Sequence, residues 1–504
     1  VALSVIRTLF GGARYSVIPT SLAYYAMSRP DPREIYNLLM AYYLNNGLYD
    51  VLRAAMVAVG TEDEALKPLR NPAARVVEFY VSKMWPGTLP DALPIQADNE
   101  RVIEAVHQVW DWSNWGAQKQ VWARWQATFG DVFVKVATRA ERVFMQLINP
   151  GYVVDFDTDE RGFLTYIRVD VPQVERKDDR IEAVTYTEVW DKTVDSFRTW
   201  RHDRGHGAAL AQLGQVATEQ PITEFGFDFL PWVHVKHRDV GEDRGVGAFT
   251  LAIDKIDEAN RLATRLHRML FRHNRNLWVA EANAMDAAGR PLPAPRIGSD
   301  DDNTLEIGDD TVVRLPGNSK LSSLVPQINY DAALAILEAH VQELERDLPE
   351  LAYYRLRDKG DLSGRAILYL LSDAIDRVIE ARGNAETGLV RAQEMALTVG
   401  QAAGLPGFGK GEIGTYAAGD FAHSFVERPV LAMAEADRAE VYGKYRQAGA
   451  DSVTAMRRAG FSAAEIEQAL EEMRAEEARA QSSLAQALLE QQRRFDQENT
   501  DRGD

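Results

Sequence analysis

The period of apolar and polar positions changes along the chain, and the changes divide it into blocks. Residues 29 to 60 carry a helical period, with Ile35, Leu38, Leu39, Tyr42 and Tyr43 on one face behind the start signal Arg29-Pro30-Asp31-Pro32. A second helix is predicted from Asn71-Pro72 to the stop at Pro86-Gly87. From Asp98 to Phe129 the helical period returns with Trp110, Trp112, Trp115, Trp122 and Trp125. Trp115, Trp122, Trp125 and Phe129 share a face, which predicts a buried helical core in preference to a base-stacking surface.

At Gly130 the period becomes two. DVFVKVATR, RVFMQLI, GYVVDFD, GFLTYIRVD and AVTYTEVWD alternate, separated by turn signals such as Asn149-Pro150-Gly151 and Glu160-Arg161-Gly162. They predict one antiparallel sheet of four to six strands ending near Trp200. RHDRGHGAALAQLGQ reads as a loop or weak helix, FDFLPWVHVKHRD as one more strand, and Gly-rich GEDRGVG leads into a long helix.

That helix, predicted from about Phe249 to Asn276, carries Arg261, Arg265, Arg268, Arg272 and Arg275 at steps of four and three, hence on one face. A second long helix, from about Tyr330 to Leu348, carries Asp331, Glu338 and Glu345 at heptad spacing. Three readings of the arginine stripe stay open: a solvated face, pairing with the acidic stripe of the same or a neighbouring subunit, or contact with DNA phosphate. Matching spacing favours pairing. Between the helices, Leu277 to Pro326 reads as short β and turn, with an acidic surface at Asp300, Asp301, Asp302, Glu306, Asp309 and Asp310. After Leu348 comes a partly basic stretch with Arg355, Arg357 and Lys359. A third long helix is predicted from Leu362, with Ser363 as N-cap and Ile367, Leu370, Leu371, Ile375, Val378 and Ile379 as its apolar stripe, to about Ala402. Gly404 to Gly419 is a glycine-rich breaker. Helices then resume, one with a capping box at Ser462 and Glu465, and the last thirty residues read as an exposed helix or disordered.

With 504 residues the chain is expected to form two to four structural units. A net charge of -18 argues against a general phosphate-neutralising nucleic-acid binder, though not against a protein that lets nucleic acid slide past. The absence of cysteine removes disulfides, thiol nucleophiles and thiolate metal sites. No apolar run reaches the ~20 residues of a membrane span, and Arg7 interrupts the short N-terminal apolar run, so a soluble protein made inside the cell is expected.

Motifs for catalysis are weak. The Gly404-x4-Gly409-Lys410 string is followed by Gly411 where a phosphate loop needs Ser or Thr, and a helix precedes it. The pairs His202/His206 and His234/His237 lack a third ligand, and Asp300-Asp301-Asp302 lacks the glycine and terminal Glu of a calcium loop. No G-x-S-x-G or H-E-x-x-H is present. No enzyme activity, cofactor or metal is expected.

The run from Phe225 through Asn276 resembles tailed-bacteriophage portal proteins, where a wing strand feeds the first stem helix. It carries Leu230-Pro231-Trp232-Val233-His234, then Gly245-Val246-Gly247, then Ile256-Asp257-Glu258-Ala259-Asn260. Leu362-Ser363-Gly364-Arg365-Ala366 resembles the SGxA of that family, and the helical, alanine-rich ending is similar too. The likeness is one of order and spacing over about residues 70 to 480.

The resemblance implies an α+β, mainly helical fold with an α/β wing, two-helix stem, small β-containing clip and helical crown. It maps the wing to 1–247, the stem helices to 248–276 and 327–350, the clip to 277–326, a tunnel loop to 351–362, the long wing helix to 363–403 and the crown and tail to 404–504. It further implies a homododecameric ring at one capsid vertex of the virion, made in the host cytoplasm, through which double-stranded DNA is packaged and ejected. Its partners would be the terminase large subunit, major capsid and scaffolding proteins, and head-completion or adaptor proteins, with no membrane. Arg355, Arg357 and Lys359 would be the channel contacts, the stem stripes the subunit contacts, and the acidic clip a partner surface. The competing expectation is an α-helical, capsid-associated scaffold or interaction protein without a DNA channel.

Overall fold

A computed structural model describes residues 32–46, 69–177, 180–273, 278–282, 287–290, 319–323, 330–357, 369–431, 435–461 and 465–476, with positions 478, 479, 482 and 489 beyond. Across these the fold is α+β, with long helices and several antiparallel sheets.

Helices α1 (Pro32–Leu44), α2 (Ala73–Met84), α3 (Glu100–Trp112) and α4 (Trp115–Phe129) come first. Asn99 caps α3, its side chain accepting from the Arg101 amide at 3.0 Å. Trp115 and Trp122 are fully buried and meet edge to face at 5.7 Å, so the tryptophan face is core, as the periodicity predicts.

The alternating segments form two sheets where one was expected. Strands β2 (Asp131–Arg139), β3 (Arg142–Ile148) and β9 (Trp232–Lys236) make a three-stranded sheet in the order β3-β2-β9. Strands β4 (Val153–Thr158), β5 (Leu164–Lys177), β6 (Arg180–Asp191), β7 (Ser196–His202) and β8 (Thr218–Gln220) make a five-stranded meander. The break falls at Asn149-Pro150-Gly151, a 3-10 turn that redirects the chain between them. Phe133, Ile148, Trp232 and Leu230 from the smaller sheet and its approach then pack with Val153, Ile167, Val169 and Trp190 of the larger one. On the other face of the larger sheet, Arg168 and Asp170 of β5 form a buried ion pair at 3.0 Å, closed by Thr187 of β6, the Gly207 amide and the Ala208 carbonyl.

After β9 come α5 (Ile253–His273), a two-stranded unit of β10 (Trp278–Ala282) and β11 (Ser319–Ser323), and α6 (Tyr330–Asp347). The helix pair and its β tip follow the sequence reading closely. In the segment that the resemblance maps to a tunnel loop, residues Leu351–Arg357 form helix α7, and residues 358–362 lie outside the described residues. Leu351 and Leu356 are buried and Tyr353 packs on Phe79, so tertiary burial stabilises a helix that the Pro349 and the basic residues disguised. The long helix α8 (Ser372–Ala402) lies on β2, β3 and β9. Its predicted stripe is partly displaced: Leu371 and Val378 are buried, Leu370 and Ile379 are exposed, and Ser363 and Ile367 lie outside the described residues.

The glycine-rich stretch after Gly404 is built into the body. Phe408, Ile413 and Phe421 are fully buried, Phe408 stacks on Trp112, and a third β pairing joins β1 (Ile95–Ala97) to β12 (His423–Phe425). Helices α9 (Lys410–Ile413), α10 (Glu435–Gln447) and α11 (Ser452–Arg458) follow, the last capped by Asp451. Ser462 of the expected capping box lies outside the described residues, while Glu465 pairs with Arg438 at 3.2 Å.

Candidate assembly site at the root of the helical hairpin

Helices α5 and α6 run antiparallel. Lys255, near the start of α5, reaches Glu343 at 2.9 Å and Asp347 at 2.6 Å near the end of α6, while β10 and β11 join the opposite ends. These two carboxylates raise the Lys255 pKa, Asp347 most. Leu337, Leu344 and Leu348 form the buried seam of α6. Its 21 residues give α5 a length of about 31 Å.

Three short motifs of the sequence converge where this hairpin leaves the body. In Ile256-Asp257-x-x-Asn260, both polar residues are buried. Asp257 Oδ1 accepts from the Tyr42 hydroxyl at 2.6 Å, and Asn260 Oδ1 accepts from the Arg70 amide at 2.6 Å. One helical turn apart, they tie the base of α5 to α1 and to the chain before α2. In Gly245-Val246-Gly247, both glycines touch the end of α4: a Cβ on Gly245 would stand 2.2 Å from the Gly130 carbonyl oxygen, and one on Gly247 would stand 2.7 Å from that of Thr128. Gly130 itself closes α4 at φ +84°, the left-handed region that glycine adopts freely.

His234, the end of the third motif, bonds through Nε2 to Asp131 Oδ1 at 2.7 Å. Asp131 is fully buried and also accepts from the Gly245 amide at 2.8 Å and the Tyr36 hydroxyl at 2.5 Å. Arg244 donates to Tyr36 Oη at 2.9 Å, completing a network across α1, β2, β9 and the turn into α5. Neither Asp131 nor Tyr36 was singled out from sequence. The available signal was a carboxylate opening an otherwise apolar strand directly after a glycine.

The end of α6 is anchored in the same manner. Glu350, fully buried, accepts from the Tyr80 hydroxyl at 2.7 Å and lies 3.5 Å from Arg377, which also donates to the Asp347 carbonyl at 3.0 Å. Burial and the neighbouring Glu350 push the Tyr80 pKa well up. His237 stands edge-on to Tyr80 at 4.7 Å, and burial, helped by Arg238 and Arg377, lowers its pKa from 6.5 to about 3.

The candidate contact residues separate into several environments. Arg261 bonds to Glu258 of its own helix at 2.8 Å, and Arg265 is exposed. For Arg268 and Arg272 only the helical backbone is described, and Arg275 lies outside the described residues. Asp331 and Glu338 are exposed, whereas Glu345 takes Arg355 at 2.7 Å. A residue of the expected acidic stripe and a basic residue of the expected tunnel loop thus meet within one chain. The Arg357 side chain, Lys359 and the acidic residues Asp300, Asp301, Asp302, Glu306, Asp309 and Asp310 lie outside the description.

Among the described residues no group of three His, Cys, Asp or Glu is arranged to hold a metal, and no described helix is long and apolar enough to cross a membrane. His202 contacts Thr187 at 2.8 Å. The Gly404–Lys410 string follows α8, and the Gly409 amide donates to the Glu412 carboxylate at 3.1 Å, a group that repels phosphate.

No family model matches this sequence, and no curated protein does. Among solved structures, the chain is similar to a chain of the virion of a native gene transfer agent (GTA) particle, at 12% identity and a TM-score of 0.40, covering 75% of this chain and 86% of that one. It is also similar to chains of the neck of the native GTA particle computed with C12 symmetry (11% identity, TM-score 0.41, 78% and 90% covered) and of the neck of the empty particle computed with C6 symmetry (13%, 0.40, 75% and 87%).

Proposed function

We propose that this chain is the ring-forming portal subunit of a phage-type head, a structural conduit without enzymatic activity. The observation that carries the reading is the rooted hairpin: two antiparallel helices with a β tip, fixed to an α/β body by Asp257, Asn260 and Glu350. Buried, hydrogen-bonded polar groups at the base of an element fix its direction more narrowly than apolar contact does, because misalignment strands a desolvated carboxylate at a cost of about 1–3 kcal/mol or more. A subunit that repeats around an axis needs that fixed direction, since an angular error recurs at every interface.

In this reading α5 and α6 form the stem and the segment between them the clip. The arginine stripe of the first helix would pair with the acidic stripe of the neighbouring subunit's second helix, and each exposed pair would contribute about 0.2–1 kcal/mol, multiplied around the ring. The net charge of -18 suits a channel that keeps duplex DNA mobile, since few phosphates are neutralised. The ring would sit at one capsid vertex of the virion, with the terminase, capsid, scaffolding and adaptor proteins as partners. Negative-stain or cryo-electron microscopy of the purified chain tests this: a ring with a central hole supports it, and a compact solid oligomer contradicts it in favour of a scaffold without a channel.

A further inference from the structure

The five-stranded sheet carries a projection that nothing in the described chain covers. β5 and β6 stay paired out to Lys177 and Arg180, but β4 leaves β5 at Val169 and β7 leaves β6 at Thr185. Beyond Pro172 the ribbon therefore has only two strands. Directly opposed residues of an antiparallel pair share a face, so Val174 and Ala183 lie on one face with Arg176 and Ile181. The other face is held by Glu175, which takes the Tyr186 hydroxyl and the Arg201 guanidinium. The first face is bare: Val174 is 72% and Ile181 69% exposed, and exposed Arg176 makes no hydrogen bond or ion pair among the described residues. Such a ribbon is marginal in water without a third layer.

A second bare surface has the complementary character. At the approach to α8 and along its first turns, Tyr369 is 81% and Ile379 53% exposed, with Asp373, Asp376 and Glu380 exposed beside them. Within the helix Asp373, Asp376, Ile379 and Glu380 lie at spacings of three and four along one side, and Tyr369 stands just before its start. Asp376 and Glu380 have no hydrogen-bond or ion-pair partner among the described residues.

We propose that these two faces meet between copies of the chain: the ribbon of one subunit lies on the first turns of α8 of the next. Val174 and Ile181 cover Ile379 and Tyr369, and Arg176 enters the acidic ridge of Asp373, Asp376 and Glu380. Because the two surfaces differ, the contact is head to tail, the kind that closes into a ring when the rotation per copy permits. This rests on the ring reading above and names its contact.

The chain has no cysteine, so an introduced pair reports only this contact. In the full chain, Val174→Cys combined with Ile379→Cys is expected to give a ladder of covalent oligomers on mild oxidation, and neither single variant does. Arg176→Glu, at an exposed site that leaves the circular dichroism spectrum unchanged, is expected to weaken assembly at least tenfold by sedimentation, with recovery on adding Asp376→Arg and Glu380→Arg. If the wild-type chain forms rings while the double-cysteine variant gives no ladder and Arg176→Glu leaves assembly unchanged, the contact is overturned and the ring stands. A wild-type chain that stays monomeric at every concentration, with the double-cysteine variant unlinked, overturns both.

Discussion

Arg355 Nη1 lies 2.7 Å from Glu345 Oε2, joining α7 to the last turns of α6. The arginine side chain is 58% exposed, so water competes for both groups and the pair contributes little. Arg355→Ala is expected to lower unfolding stability by at most about 1 kcal/mol, read from urea midpoints. A loss well beyond that would mean the contact is structural in a way its exposure does not suggest.

Tyr42→Phe has a larger expected effect. It removes a buried donor from the Asp257 carboxylate, and bonds to charged groups contribute about 1.5–3 kcal/mol. Destabilisation of that size, with faster amide exchange confined to α1 and the first turns of α5, is the expected pattern. Uniform exchange across the molecule would argue against a local anchoring role.

Acid is expected to weaken the fold through His237. Burial holds its pKa at about 3 in the folded protein, against 6.5 when unfolded. Between those values the unfolded chain binds a proton that the folded one refuses. Stability from this group is therefore intact above pH 6.5 and falls by roughly 1.4 kcal/mol per pH unit below it. His237→Phe is expected to flatten that slope between pH 6 and 4; a wild-type and variant slope that coincide would remove His237 as its source.

Two glycines of α8 make a matched test of close packing. A Cβ on Gly388 would stand 2.1 Å from Val235 Cγ2, whereas Gly383 has nothing within 4 Å. Gly388→Ala is expected to cost about 1–3 kcal/mol, and Gly383→Ala to add up to about 1 kcal/mol. Equal effects in thermal denaturation would contradict the seating of α8 on β9.

Much of the hairpin was legible because local pattern and final environment agree. α5 and α6 each bury one stripe, so the period of Tyr330 to Leu348 marks its helix within a residue of the observed end. The stretch that became α7 was not legible, because its helix depends on Phe79 and Tyr80, distant in sequence. Nor was the division into two sheets, since alternation along β2 and β4 is the same whichever sheet a strand joins. For the site, the motif residues Asp257, Asn260, Gly245 and Gly247 were visible as a pattern, but their work needed partners: Tyr42, the Arg70 amide and the end of α4. Charge periodicity alone gives no sign that Glu345 has a partner within its own chain, Arg355 of α7.

The proposed ring depends on the rigidly rooted hairpin of its subunit. Native mass spectrometry of the purified full chain, paired with electron-microscopic views down the particle axis, tests it most directly. A single closed oligomer with an open central channel is expected, lost together with the anchoring bonds in a Tyr42→Phe, Asn260→Ala variant that remains folded. A folded wild-type chain that forms only monomers or particles without a channel would contradict it.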